Sequence, residues 1–94
     1  MPLDQNAAEV LGLQAVAWLV SNEDLLPVFL GSTGASEDDL RAQVSDPAFL
    51  GSIFDFLLMD DAWVTRFCDE IGISYDMPMR ARAGLPGGEQ VHWT

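Results

Sequence analysis

The chain has no lysine, only four arginines, one histidine and one cysteine. Each scarcity excludes something. Without lysine there is no Schiff-base chemistry. One cysteine, Cys68, allows no disulfide within the chain, so its 94 residues must be held by packing alone. A lone thiol fits a reducing compartment. Four cations against fifteen carboxylates leave a net charge of −11, which opposes direct binding to nucleic-acid phosphates or to anionic lipid. Long hydrophobic runs are also missing. The most apolar stretch, residues 7–20, is interrupted by Glu9, Gly12 and Gln14 and is too short and too polar to span a bilayer. No basic segment precedes an apolar one at the start, so no signal peptide is expected. These readings point to a cytoplasmic protein that makes no contact with membrane.

What is present suffices for one domain. Apolar residues make up 49% of the chain, with nine aromatics among them, and the apolar positions recur at helical spacing. The expected fold is all-α: a bundle of five to six short helices with no sheet, over residues 1–84, followed by a C-terminal turn and tail at 85–94. Helix one is expected over about Gln5–Val20, capped by Asp4 and apolar nearly all round. Gly12 inside it costs about 1 kcal/mol against alanine, which a close helix–helix contact would explain. A second helix is expected over Glu23–Leu30, capped by Ser21 or Asn22, and a third over Glu37–Val44 with a capping box from Ser36 to Asp39. Asp46-Pro47 marks a fourth, to about Met59. Asp60 and Asp61 open a fifth, with Trp63, Phe67 and Ile71 on its buried stripe and Gly72-Ile73 as its stop. Asp76 caps a sixth, over Met77–Ala83. Helices one, four and five are expected to form the core. The hexapeptide Pro27-Val-Phe-Leu-Gly-Ser32 returns as Pro47-Ala-Phe-Leu-Gly-Ser52. The likeness stops on both sides, so it is no repeat array.

Ten of the fifteen acids fall at or near expected helix starts, where they satisfy backbone N–H groups and the positive end of the helix dipole. Charge is uneven along the chain. Residues 1–72 hold thirteen acids and two arginines, whereas residues 73–94 hold two of each. Arg80 and Arg82 therefore either dock on the acidic bundle or present a short recognition element. Beyond Leu85-Pro-Gly-Gly88, His92 and Trp93 complete the candidate partner-binding set, Trp93 as an apolar anchor.

Motifs for chemistry are lacking. Cys68 and His92 are each alone in type, and adjacent Asp pairs point apart on a helix, so no metal or other cofactor is expected. Cys68 lies beside Phe67 and Ile71 near a helix C-terminus, which suits a core residue and disfavours a thiolate. No serine sits in a nucleophile elbow. The glycine turns lack a phosphate-cradling pattern. The Asp-Ser-Leu attachment sequence of acyl carriers is absent. The expectation is no enzyme, but an interaction module with an unknown protein partner. The alternatives are a structural homo-oligomer such as a homodimer, motivated by helix one, or an acidic nucleic-acid mimic seated in a basic protein groove.

Several segments taken together carry a resemblance: Leu25-Leu-Pro-Val-Phe-Leu30, Asp39-Leu-Arg-Ala42, Asp46-Pro-Ala-Phe-Leu50, Phe56-Leu-Leu-Met-Asp-Asp61 and Arg82-Ala-Gly-Leu-Pro-Gly-Gly88. Over Val10 to Gly88 the chain resembles a family of short, uncharacterised bacterial proteins of unknown function. The resemblance implies no activity, cofactor or catalytic residue. It does imply that the Leu-Pro-Gly-Gly turn belongs to the domain.

Overall fold

Local capping chemistry dictates most of the helix starts. The computed structural model describes residues 3–86. Among them are six helices and no strand: α1 (Gln5–Ser21), α2 (Leu26–Thr33), α3 (Glu37–Gln43), α4 (Pro47–Leu57), α5 (Asp61–Ile71) and α6 (Met77–Ala83). Asp4, Asp46 and Asp60 each accept a hydrogen bond from a backbone N–H in the first turn of α1, α4 and α5. Ser36 and Asp39 close the expected capping box on α3. α5 stops at Gly72, whose φ of 77° suits glycine, and the N–H of Ile73 reaches back to the Cys68 carbonyl as the Schellman geometry requires.

Two starts differ from expectation. α2 begins at Leu26, later than Glu23, and no side chain caps it. Ser21 and Asn22 turn back instead and donate to the Trp18 carbonyl at the end of α1. Asp76 does not cap α6 either; its carboxylate accepts from the Ser74 hydroxyl at 2.6 Å. In both places a side chain found a nearer partner than the helix N-terminus. α4 ends at Leu57, short of Met59: the Leu58 N–H still reaches four residues back to Phe54, but those of Met59 and Asp60 switch to carbonyls three residues back, tightening the turn into Asp60.

Packing corrects the expected core trio. α1 and α4 cross closely, and the third helix held against both is α6 rather than α5. The close contact expected at Gly12 is there: a Cβ on it would lie 3.0 Å from the Leu50 Cβ. α6 approaches through small residues. Ala81 is fully buried, the Arg80 carbonyl accepts from the Leu3 N–H at 3.0 Å, and a Cβ on Gly84 would run into the Leu3 carbonyl oxygen. The packed unit continues past Gly84, since Leu85 is itself in the core.

α5 still contributes large side chains. Val64, Phe67 and Cys68 are buried, and Phe67 meets Trp18 of α1 edge-on at 5.4 Å. Trp63 is only half-buried, stacked on Phe56 at 4.6 Å. Phe29, fully buried, stands edge-on to both Phe49 and Phe56. This row of rings ties α2, α4 and α5 together, each aromatic pair adding about 0.5–1.5 kcal/mol beyond its buried area.

Candidate functional site

The arginines show where charge is organised. Arg41 lies 3.5 Å from Asp38, Arg66 3.0 Å from Asp24, Arg80 3.7 Å from Asp76 and Arg82 2.6 Å from Asp55. The first and third pairs lie within one helix turn and at the surface. The second and fourth join distant parts of the chain.

Arg66 projects from α5 to the α1–α2 junction. One guanidinium nitrogen donates to Asp24 and the other to the Asn22 side-chain oxygen at 2.9 Å, while the planar group stands 5.9 Å from the Trp18 ring centre. The hydrogen bond from Arg66 holds the Asp24 carboxyl below the usual carboxylate range, and Asp24 in turn raises the guanidinium. The indole N–H of Trp18 is buried and has no hydrogen-bond partner among the described residues. The sequence marks Asn22 only as a possible helix cap, and no motif marks Asp24 or Arg66 as its partners. The signal was scarcity: with so few cations in so acidic a chain, each one has an aspartate to find.

Arg82 lies across α4. Its Nε donates to Asp55, a guanidinium nitrogen donates to the Pro86 carbonyl at 3.0 Å, and the same group fills the space above Gly51, where a Cβ would lie 2.7 Å from it. The side chain is 17% exposed, so Arg82 is docked on the bundle rather than presented. Arg80 is half-exposed, with contacts to Asp76 and to the Met77 sulfur. The Ser74 hydroxyl, more than Arg80, holds the Asp76 carboxyl low. Beside these groups a shallow depression is lined by Gln5, Ala83, Gly84, Leu85 and Pro86. His92 and Trp93 lie outside the described residues.

Two further titratable groups are shifted by their surroundings. Cys68 is fully buried, and burial pushes its thiol up, away from the thiolate a nucleophile needs. The Tyr75 hydroxyl donates to Asp69 at 2.7 Å, which pushes the phenol up. Among the described residues no three His, Cys, Asp or Glu side chains gather as metal ligands, and no helix is long and apolar enough to cross a membrane.

No curated protein and no solved structure matches the chain. One family model does, a protein of unknown function, DUF3572, over residues 5–88. The match runs through all six described helices, the Arg82–Asp55 contact and the Leu-Pro-Gly-Gly sequence, so the chain belongs to the DUF3572 family of proteins of unknown function.

Proposed function

We propose that this protein is a non-catalytic interaction module, an adaptor or regulator that engages a basic surface of another cytoplasmic protein. One observation carries the reading: each of the four arginines already faces an aspartate of its own chain. The surplus negative charge is therefore offered outward. Exposed carboxylates such as Glu23, Glu37, Asp61 and Glu70 face solvent. A surface of one sign steers an oppositely charged partner and favours its encounter.

The test immobilises the full chain and passes cytosol over it at about 50 mM and about 500 mM salt, since the screening length falls severalfold between them. The expected result is a basic protein retained at the lower concentration and released at the higher. His92→Ala and Trp93→Ala then weaken retention where the C-terminal residues add an anchor to the charge. Retention of nothing, or only of proteins indifferent to salt, would overturn the reading.

A further inference from the structure

The fold places the chain's sulfur atoms in three different settings. Cys68 is fully buried, and burial pushes its thiol up, so a peroxide meets little thiolate there. Met59, in the turn between α4 and α5, is 73% exposed, and Met79, on α6, is 65% exposed. Met77, two residues before Met79, is half-buried against the core, and its sulfur accepts a hydrogen bond from the Arg80 guanidinium at 3.5 Å.

We propose that Met59 and Met79 are reversible oxidation sites, which in the folded chain take an oxygen atom from a peroxide and become methionine sulfoxides, while Arg80 shields Met77. Neither site depends on the basic-partner reading. A thioether lone pair attacks one peroxide oxygen, and the S–O bond forms as the O–O bond breaks. The departing hydroxide takes the proton left on the transferred oxygen and leaves as water, so sulfur loses two electrons and the peroxide gains them. The step needs a free sulfur lone pair and access from solvent, but no acid or base of the protein. Met59 and Met79 have that access. At Met77 the guanidinium engages a lone pair, the thioether being a weak acceptor, and the core covers part of the side chain. The consequences divide in the same way. A sulfoxide at Met59 or Met79 stays in water and leaves the helices packed. One at Met77 would set a polar group against the core where α6 docks. Reversal falls to enzymes that reduce sulfoxides, two thiols becoming a disulfide as the oxygen leaves as water, and an exposed side chain can enter such an enzyme.

The full chain is treated with hydrogen peroxide, and each methionine is followed by tandem mass spectrometry through its gain of about 16 Da. Met59 and Met79 are expected to oxidise severalfold faster than Met77, with the helical circular dichroism unchanged. In urea the three rates converge, because every side chain then meets solvent. Arg80→Ala, checked by circular dichroism, speeds the oxidation of Met77 severalfold and leaves that of Met59 as it was. The two epimer-specific methionine sulfoxide reductases, supplied with a dithiol, remove the added mass from Met59 and Met79 of the folded chain. Should Arg80→Ala not fold, the order of rates in the wild-type chain still decides. Met77 oxidising as fast as Met59 in the folded chain, an order of rates that persists in urea, a Met77 rate indifferent to Arg80→Ala in a folded variant, or sulfoxides that the reductases leave in place would each overturn the proposal.

Discussion

Residues 27–32 and 47–52 are nearly the same hexapeptide, and the fold treats them differently. Locally they agree. Each places proline in the first turn of a helix, where no intrahelical N–H is lost. In each the serine hydroxyl donates to the phenylalanine carbonyl three residues back, Ser32 to Phe29 and Ser52 to Phe49. Their surroundings diverge. Phe29 is fully buried between two rings and Phe49 only half-buried, whereas Leu30 is half-buried and Leu50 is in the core. Gly31 faces open space, and Gly51 lies under the Arg82 guanidinium. Their entries differ too. Asp46 caps α4, while α2 has no capping side chain and is preceded by the Asn22–Asp24–Arg66 contacts. One short pattern thus decides how a helix begins, and the elements that arrive from elsewhere decide what each of its side chains is worth.

The sharpest break in this likeness is at the phenylalanines. Phe29→Ala empties a fully enclosed site and is expected to cost about 3–5 kcal/mol; Phe49→Ala, at the half-buried equivalent, about 1–2 kcal/mol. Urea unfolding followed by circular dichroism measures both. Next comes the contact made by only one copy. Arg82→Gln removes the link from α6 to Asp55 and Pro86, and unfolding should register a loss of about 1 kcal/mol, Asp55 being largely in water.

The glycines give a smaller contrast. Gly31→Ala replaces an unhindered helical glycine and should gain about 0.5–1 kcal/mol. Gly51→Ala should gain nothing, because its Cβ displaces Arg82. In an Arg82→Ala background the ordinary helical gain returns, and a double-mutant cycle isolates that coupling.

The finest contrast is in pH. The folded-state pKa of Asp24 lies below its ordinary value, so the unfolded chain binds the proton first as pH falls. The stability this group contributes is fully present above about pH 4 and is lost as acid brings the pH through the lowered folded value. Asp24→Asn should therefore be less stable than wild type at neutral pH, with the gap closing below about pH 4. A gap that is constant across pH would show that Arg66 does not favour the charged form.

Much of the fold was readable in advance, and for a consistent reason. The caps at Asp4, Ser36, Asp46 and Asp60, and the stop at Gly72, involve groups within a few residues of one another, so their geometry follows from local chain stereochemistry. The amphipathic stripe of α5 was readable because large side chains mark a buried face. α6 was not recognised as a core partner because Ala81 and Gly84 act by being small. They let backbones approach, and that approach leaves no hydrophobic pattern. Asp76 and Asn22 were assigned to caps they do not form, since a closer hydroxyl or carbonyl took them. As for the candidate site, Arg80 and Arg82 were singled out by charge alone. That Arg82 lies across Gly51, and that Arg66 grips the α1–α2 junction, follows only when helices distant in sequence are brought together.

By itself, then, the sequence determined the helical class, the positions of most helix ends, and an acidity that must face water. Those properties arise from short-range backbone chemistry and from composition. Only the tertiary structure decided which helices meet, which of two like hexapeptides lies beneath an arginine, and which methionines stay outside. Those outcomes depend on whether groups far apart in the chain fit the same space, and no local pattern carries that information.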